Sequence, residues 1–347
     1  MLPLPVLEKA RDELLDYRGL GMSVMEISHR SSAFDEVAAT SEACLRRLLS
    51  IPDDYAVLFL AGGATMQFAQ VPLNLAARES PGAYIVNGSW SKKAFGIAKR
   101  LGLAHLAASS EDTGFNSIPA TGEWDMSGNE SYLHYVSNET ISGVQFRQPP
   151  ESNLPLVSDM SSDILSRPVD VGKFGVIYAG AQKNIGQSGI AIVIARKDLL
   201  KDLPSVVPDL QSWSVQNQEG SRLNTPPTYA WYMAGLVFEW VEAMGGMQRM
   251  AELNQQKADT LYGFLDQSSF YQNAIPAEFR SHMNIPFQIV DESLHGRFIT
   301  EAEAEGLSSL KGHRSVGGMR ASIYNAMPIE GIEALIGFMK EFESKAG

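Results

Sequence analysis

Seven short apolar runs, separated by stretches of helical character, constrain the fold of this chain more than any other feature of its sequence. The runs are YAVLFLAGG (55–63), AYIVNGSW (83–90), LAHLAAS (103–109), SYLHYVSNET (131–140), LPLVSDMS (154–161), FGVIYAGAQ (174–182) and IAIVIA (190–195). Each is rich in β-branched or aromatic residues and is bounded by Gly, Ser, Asn or Asp, as is typical of strands buried on both faces. Strands that alternate with helices predict an α/β fold with a mainly parallel seven-stranded sheet.

The pattern changes after residue 226, where residues 227–267 form one long helical stretch that is weakened at Gly245 and Gly246. The remainder contains two strand candidates, MNIPFQIVD (283–291) and a run around MRASIY (319–324). An acidic helix, ITEAEAEGLSSL, lies between them, and the helix IEGIEALIGFMKEFESKAG closes the chain. We therefore predict a large domain over residues 1–245 and a small α+β domain over residues 246–347.

Charge and cysteine content exclude several classes of protein. The chain of 347 residues has a formal net charge of −12, which disfavours nucleic acid or an anionic membrane as a partner, since both require a clustered basic surface. The one cysteine, Cys44, excludes an intrachain disulfide or a metal–thiolate cluster. The N-terminus lacks the features of a signal peptide, and no apolar stretch approaches the roughly 18 residues of a spanning helix. We expect a cytoplasmic protein with no metal site.

Lys183 and Asp159 each follow a predicted strand, at the edge of the sheet where α/β proteins bind ligands. Taken alone, Lys183 reads as a solvated loop lysine and Asp159 as a helix N-cap. Taken together, they suit pyridoxal phosphate (PLP). A carboxylate against the pyridine nitrogen keeps that nitrogen protonated and makes the ring an electron sink.

Two further features fit a flat, phosphorylated cofactor. The segment AGGATMQF (61–68) leads from a strand into a helix, so its backbone N–H groups suit a phosphate. Neither G-x-G-x-x-G nor the Walker A pattern is present, which disfavours a dinucleotide or nucleoside triphosphate. Trp90 offers a flat face that can stack on an aromatic ring, the alternative being a buried core tryptophan.

Five cationic residues lie in loop-like or Gly-rich stretches, and any one of them alone reads as a surface ion-pair partner. They are His29, Arg30, His313, Arg314 and Arg320. In an acidic protein such a set is a candidate for recognising a substrate that carries both a carboxylate and a phosphate, because the arginine fork matches both groups.

The sequence resembles the phosphoserine aminotransferases, which are aspartate-aminotransferase-like enzymes of PLP fold type I in the class-V aminotransferase family. The resemblance rests on GMSVMEISHRS, VPLN, SNETISG, ILSRPVDV, GVIYAGAQKNIG, NTPPTYAWY, NQQKA and KGHRSVGGMRASIYNAMP, which together extend over almost the whole chain. It implies conversion of L-glutamate and 3-phosphohydroxypyruvate to 2-oxoglutarate and O-phospho-L-serine in serine biosynthesis. In bacterial members it also implies action on the phosphorylated hydroxythreonine of pyridoxine biosynthesis.

Motif matching implies a role for each candidate residue. Lys183 forms the internal aldimine with PLP and shuttles the proton between Cα and C4′. Asp159 pairs with the pyridine nitrogen, Trp90 stacks on the ring, and Thr140 lies near the phenolic oxygen. The residues implied for the cofactor phosphate are Ala64, Thr65, Gln182, Asn224 and Thr225.

The resemblance also implies an obligate homodimer with active sites at the interface, in which Asn224 and Thr225 come from the neighbouring subunit. Arg30 and Arg320 are implied to bind the substrate carboxylate. The residues implied to complete the substrate phosphate site are His29 and, in trans, His313 and Arg314.

The chain departs from the family pattern in two places. Relatives have a Gly-Pro-Ala turn before the Leu-Pro pair that is Leu2-Pro3 here, and this sequence lacks that turn, which belongs to the substrate side of the site. Thr65 stands where some members have an arginine, so one side-chain charge is missing while the backbone N–H groups remain.

Three alternatives stay open. A cysteine desulfurase of the same fold needs a mobile nucleophilic cysteine, whereas Cys44 reads as a buried helix position. An alanine–glyoxylate aminotransferase leaves the His-Arg pairs unexplained. A PLP-binding protein of weak activity is the third.

Overall fold

The computed structural model describes residues 2–346, and its centre is a sheet of seven strands. The strands, in chain order, are β1 (Tyr55–Ala61), β2 (Gly82–Val86), β3 (Ala104–Ser109), β4 (Tyr132–Val136), β5 (Asn138–Glu139), β6 (Val144–Gln145), β7 (Leu156–Asp159), β8 (Val176–Gly180), β9 (Ile190–Arg196), β10 (Tyr271–Gln272), β11 (Asn284–Ile289) and β12 (Met319–Ser322). The central sheet has the order β1-β9-β8-β7-β4-β2-β3. All seven runs predicted from the sequence are therefore confirmed as strands of one sheet.

The helices of the described chain are α1 (Leu4–Asp12), α2 (Ser32–Leu49), α3 (Ala64–Leu75), α4 (Ser89–Arg100), α5 (Trp213–Gln218), α6 (Thr228–Ala243), α7 (Gly246–Gln267), α8 (His295–Ala304) and α9 (Ile329–Ala346). None of these helices is both long enough and apolar enough to cross a membrane.

The direction of the strands fixes where a ligand can bind. β9 is antiparallel to both β1 and β8, and every other neighbouring pair is parallel. Six strands thus point the same way, and their carboxyl ends lie along one edge of the sheet. This confirms the predicted α/β fold and makes that edge the expected binding region.

Both faces of the sheet are covered, which explains why the strands are apolar throughout and not alternating. Along β1, Val57 and Phe59 belong to one core with residues of α2 and α6. Their neighbours Ala56 and Leu58 belong to a second core with residues of α3 and α4. Since successive side chains of a strand point to opposite faces, β1 is packed from both sides.

The break predicted in the long helical stretch is confirmed at Gly245 and Gly246. These residues have φ angles of +102° and +73°, a left-handed conformation that favours glycine. Helix α6 consequently ends at Ala243, and a separate helix, α7, begins at Gly246.

The C-terminal part forms its own antiparallel sheet, β10-β11-β12. Both predicted strands are confirmed, and β10 adds a short edge strand that the sequence pattern did not indicate. The side chains of this sheet pack with α7, α8 and α9 in a separate core that begins at Ala258. We propose that the glycine pair divides two domains, 1–245 and 246–347, although Met247 and Met250 at the start of α7 still pack on the large core.

The run 131–140 is not one continuous strand. β4 ends at Val136, and the chain turns into the hairpin β5–β6. The tip of the hairpin approaches β11 so closely that a Cβ on Gly143 would lie 2.9 Å from the carbonyl oxygen of Asn284. The hairpin thereby brings Thr140 back to the carboxyl edge of the sheet.

Candidate active site

Seven of the residues predicted from the sequence line one pocket at the carboxyl edge of the sheet. They are Ala64, Thr65, Trp90, Thr140, Asp159, Gln182 and Lys183. They come from the first turns of α3 and α4, from the end of β7, from the loop after β8 and from the β5–β6 hairpin. The fold therefore brings together side chains that are up to 119 positions apart in the sequence (64 and 183).

Lys183 lies at the centre of the pocket. Its Nζ donates a hydrogen bond to Oγ1 of Thr140 at 2.5 Å and lies 5.7 Å from the centroid of the Trp90 ring. Burial lowers the pKa of this lysine to about 8, against the opposing effect of the carboxylates of Asp159 and Glu139. A much larger fraction of the amine is therefore neutral, and so nucleophilic, than in a solvated lysine.

Asp159 ends β7 and is buried. Its Oδ1 accepts hydrogen bonds from the backbone N–H of Ser161 at 2.8 Å and from the hydroxyl of the same residue. Oδ2 has no hydrogen-bond partner among residues 2–346 and belongs to a side chain that lines the pocket. Burial raises the pKa of this carboxyl, while Ser161 and Lys183 act in the opposite direction. A cationic N–H group in the pocket would supply the missing partner.

Sequence reasoning missed Ser161, which fixes the orientation of that carboxyl group. Its hydroxyl donates to Asp159 and accepts from the backbone N–H of Gly180 at 3.0 Å. It thus links the ends of the neighbouring strands β7 and β8. The only signal in the sequence is its position two residues after Asp159 in SDMSS.

Glu139 is a second buried carboxylate that sequence reasoning missed. It accepts hydrogen bonds from the backbone N–H groups of Trp90 at 3.0 Å and Ser91 at 2.7 Å, and from the Ser91 hydroxyl at 2.7 Å. The two backbone N–H groups belong to the first turn of α4, where they have no partner within the helix and where a negative charge is favoured. Burial raises the pKa of Glu139 despite these bonds. Glu139 therefore holds Trp90 in place over the pocket.

The turn from β1 into α3 has the features of a phosphate site. Gly62 has a φ of +103°, and the N-cap residue Gly63 contributes no side chain. The first backbone N–H groups of the helix, those of Ala64 and Thr65, therefore face the pocket without an intrahelical partner. A Cβ on Gly180 would lie 3.2 Å from the nitrogen of Ala64 and 2.8 Å from the side-chain oxygen of Gln182, so glycine gives this turn room that a larger residue would reduce. The structure also places Nζ of Lys93 3.4 Å from Oγ1 of Thr65.

Arg320, on β12, reaches the hairpin that carries Thr140. One of its terminal nitrogens donates to the carbonyl oxygen of Thr140 at 3.2 Å, and its Nε is buried without a hydrogen-bond partner. Within the described chain it forms no ion pair, in contrast to Arg222 and Arg280. Arg320 is half-buried near Lys183 and has no carboxylate partner among residues 2–346. It is therefore suited to bind the carboxylate of an incoming substrate.

Arg320 contacts the hairpin without lining the pocket, and the other four cationic candidates do not line it in a single chain either. Arg30 is exposed and donates to the ring of His29 at 3.3 Å. His313 and Arg314 are exposed, and within residues 2–346 the His313 side chain is bonded only to Ser315, through its hydroxyl at 2.8 Å and its backbone N–H at 3.3 Å. Asn224 and Thr225 are exposed as well and are absent from the pocket wall. Their predicted roles in the site remain predictions that one chain does not test.

The pocket fits PLP on its own geometry. The unpartnered oxygen of Asp159 suits the protonated pyridine nitrogen, Trp90 offers a ring face, and the α3 turn suits the phosphate. Lys183 supplies a partly neutral amine beside them. Fold and site together define a PLP-dependent enzyme of fold type I.

Comparison with known proteins identifies the family. The chain belongs to the class-V aminotransferases, whose family model matches residues 1–335. It is 52% identical to the phosphoserine aminotransferase of Pseudomonas putida over 347 residues, which is 100% of this chain and 96% of the relative.

Solved structures agree with this assignment. Phosphoserine aminotransferase from Bacillus circulans subsp. alkalophilus superposes with a TM-score of 0.97 at 45% identity, covering 100% of this chain and 97% of the other. The PLP-bound phosphoserine aminotransferase of Trichomonas vaginalis gives a TM-score of 0.93 at 38% identity, covering 98% and 97%. This chain is thus an aminotransferase that uses PLP.

Proposed function

We propose that this chain transfers the amino group of L-glutamate to 3-phosphohydroxypyruvate, giving 2-oxoglutarate and O-phospho-L-serine in serine biosynthesis. The observation that carries the proposal is the placement of Lys183 and Asp159 in one pocket, together with Arg320, which is bonded to the carbonyl oxygen of the pocket residue Thr140 and has no ion-pair partner among residues 2–346. Full-length relatives at 52% identity are named phosphoserine aminotransferase, which supports this substrate. We also propose action on the phosphorylated substrate of pyridoxine biosynthesis.

PLP, when bound, supplies an aldehyde carbon that joins to a lysine amine and a ring that takes up electrons from the Cα of the amino acid. Asp159 Oδ2 holds the proton on the ring nitrogen, and Ser161 keeps the carboxyl group oriented for this bond. Burial of this carboxylate makes its interaction with a cationic N–H stronger than it would be in water.

With PLP bound, Lys183 would act as the base that takes the proton from Cα of the amino acid and later releases it. A lysine pKa of about 8 suits this role, because a catalytic base works best when its pKa is near the working pH. Thr140 accepts a hydrogen bond from Nζ and limits the positions that the amine can take.

The cationic side chains of the predicted site recognise the substrate. Arg320 binds the α-carboxylate, since it is half-buried, unpaired and adjacent to the hairpin that carries Thr140. Arg30 contributes to the same carboxylate. The substrate phosphate is bound by His29 and, from the neighbouring subunit, by His313 and Arg314. Arg30, His313 and Arg314 are exposed and His29 is partly exposed, and none of them has an acidic partner among residues 2–346, so all four are available for such contacts across an interface.

A homodimer completes the site in this proposal. Asn224 and Thr225 lie outside the pocket of their own chain and are exposed, so they are free to reach the cofactor phosphate of a partner. We further propose that the enzyme works in the cytoplasm.

A cysteine desulfurase is disfavoured by the position of Cys44, which is 1% exposed in α2. Burial raises the pKa of its thiol to about 11, so the thiolate needed for nucleophilic attack is scarce.

The decisive experiment is a transamination assay with purified protein. L-Glutamate is the donor, and 3-phosphohydroxypyruvate is compared with hydroxypyruvate, pyruvate and glyoxylate as acceptors. We expect 2-oxoglutarate to form at least about 100-fold more efficiently with the phosphorylated acceptor, since a site built to bind a charged group strongly rejects analogues that lack it. Equal use of glyoxylate or pyruvate would contradict the proposal.

The pH dependence of cofactor capture tests the state of Lys183. We expect apoprotein to bind PLP covalently at a rate that rises with pH and levels off above about pH 8, because only the neutral amine attacks the aldehyde. The rate is followed by the visible absorbance of the bound cofactor after rapid mixing, and reduction with borohydride confirms the attachment site. An inflection near pH 10.5, the ordinary lysine value, would show that burial does not act on this amine as inferred.

Subunit complementation tests the shared site. Lys183→Ala and Asn224→Asp are each expected to be inactive alone, the second because a carboxylate would face the cofactor phosphate. Co-expressed with different tags, they should yield a mixed dimer with one intact site, or about a quarter of wild-type activity when the subunits pair at random. Co-expression of two copies of Lys183→Ala is the control. Absence of activity in the purified mixed dimer would place Asn224 in its own chain's site.

A further inference from the structure

Three consecutive carbonyl groups in the turn after β7 each accept a hydrogen bond from the side-chain amide of a different asparagine. The bonds are Asn184 Nδ2 to Ile164 O at 3.0 Å, Asn325 Nδ2 to Leu165 O at 2.7 Å, and Asn254 Nδ2 to Ser166 O at 3.0 Å. The donors come from the loop after β8, the segment after β12 and helix α7. Three distant parts of the chain therefore meet on one turn.

The three asparagines, Asn184, Asn254 and Asn325, are also bonded to one another, and we call them the asparagine clamp. Asn254 Nδ2 donates to Oδ1 of Asn325 at 2.9 Å, and the backbone N–H of Asn325 donates to Oδ1 of Asn184 at 3.1 Å. Their exposed fractions are 4%, 1% and 8% for residues 184, 254 and 325. Buried amides in such a network hold a single arrangement, because loss of one bond leaves its partner unsatisfied.

The turn that the clamp holds is strained. Leu165 is fully buried yet has a φ of +60°, a left-handed conformation that is unfavourable for a residue with a Cβ. Such a conformation persists only where surrounding contacts impose it. The bond from Asn325 to the carbonyl oxygen of Leu165 is one of these contacts.

Three of the four segments that the clamp joins carry a candidate residue of the active site, and helix α7 is the exception. Asn184 directly follows Lys183, the turn 164–166 follows Asp159 on the same segment, and Asn325 lies five residues after Arg320. A fourth buried group acts on the segment after β12. Lys257, three positions after Asn254 on α7, donates to the carbonyl oxygens of Ile323 at 3.1 Å and Tyr324 at 2.9 Å.

We infer that the asparagine clamp positions Lys183 relative to Asp159 and Arg320, so that the proton-transferring amine and the carboxylate-binding arginine face one substrate. Its members are positioning residues, since none of them lines the pocket. The part that concerns Arg320 rests on the proposed function. The part that concerns Lys183 and Asp159 rests only on PLP as the cofactor.

The test compares Asn325→Ala and Asn254→Ala with Asn74→Ala. Asn74 is a matched control because it is 8% exposed and its Nδ2 donates to the carbonyl oxygens of Gln70 and Gln211, both at 2.8 Å. It lies at the far end of α3 and does not line the pocket. Thermal unfolding of each holoenzyme measures the structural cost of the substitution.

Two readouts separate positioning from stability. One is the pH titration of the visible absorbance of the bound cofactor, and the other is kcat/KM for the half-reaction with L-glutamate. We expect both clamp variants to lower kcat/KM at least about fivefold, the equivalent of one buried hydrogen bond, and to shift the titration midpoint. Asn74→Ala should show a comparable loss of Tm with neither effect. If Asn325→Ala does not fold, the test relies on Asn254→Ala. This variant leaves the bonds of Asn325 to Leu165 and Asn184 in place.

Clamp variants that lose stability but keep the wild-type titration and kcat/KM would overturn the inference. Neither readout uses the phosphorylated acceptor. A wild-type enzyme that reacts with glutamate but not with 3-phosphohydroxypyruvate would therefore refute the proposed function and leave the clamp test valid.

Discussion

Lys183→Ala is expected to remove the visible absorbance of the bound cofactor and to lower kcat/KM by more than about 10⁴-fold. Loss of a general base alone accounts for about 10²–10⁴-fold, and loss of covalent attachment of the cofactor adds to this. The measurement is steady-state kinetics with L-glutamate and 3-phosphohydroxypyruvate, together with an absorbance spectrum of the purified variant.

Lys183→Arg is the informative companion variant. It keeps the positive charge beside Asp159 and Glu139, but a guanidinium has a pKa above about 12 and stays protonated. We expect it to be as inactive as Lys183→Ala, while circular dichroism shows both to be folded. Wild-type turnover in either variant would remove Lys183 from the mechanism.

Asp159→Asn is expected to give the second largest loss. The amide keeps an oxygen that can accept from Ser161, but it has no charge to hold the proton on the ring nitrogen. Loss of one partner of a buried ion pair costs about 3–5 kcal/mol, and each 1.36 kcal/mol is tenfold in rate. We therefore expect kcat to fall by about two to three and a half orders of magnitude, with the cofactor still bound.

Asp163→Asn is the control for that experiment. Asp163 is also buried, but its Oδ2 accepts from Gln145 at 3.1 Å and it does not line the pocket. We expect a lower Tm and a kcat within about threefold of wild type, as for a substitution away from the reacting atoms. Similar kcat values for the two variants would show that Asp159 has no special role in the reaction.

Much of the sheet is predictable from the sequence because each strand is indicated by residues that are neighbours in the chain. Each of the seven runs combines an apolar stretch with flanking turn residues, and burial on both faces leaves no competing helical pattern. The glycine pair 245–246 is predictable for the same reason, because the ability to adopt a positive φ without strain is a property of glycine itself. The hairpin β5–β6 is not, since its position depends on contact with β11.

The residues of the candidate site also fall into those that a local sequence pattern predicts and those that it does not. Lys183 and Asp159 are predictable because both directly follow a buried strand, and parallel strands bring such positions to one edge. Ser161 and Glu139 have no pattern of their own. Their importance lies in bonds to Gly180, Trp90 and Ser91, which only the folded chain reveals.

By itself, the sequence determined that this chain forms a mainly parallel α/β sheet with Lys183 and Asp159 at its carboxyl edge. Only the tertiary structure decided what each buried carboxylate does. Asp159, Asp163 and Glu139 all lie at or shortly after strand ends, but their partners differ. Asp159 is bonded to Ser161 and faces the pocket, Asp163 contacts Ser137, Gln145 and Arg167, and Glu139 accepts from the first turn of α4. The physical reason is that the burial of a strand can be read from residues that are neighbours in the sequence. Hydrogen bonds such as those of the asparagine clamp join segments up to 160 positions apart, so no local pattern indicates them.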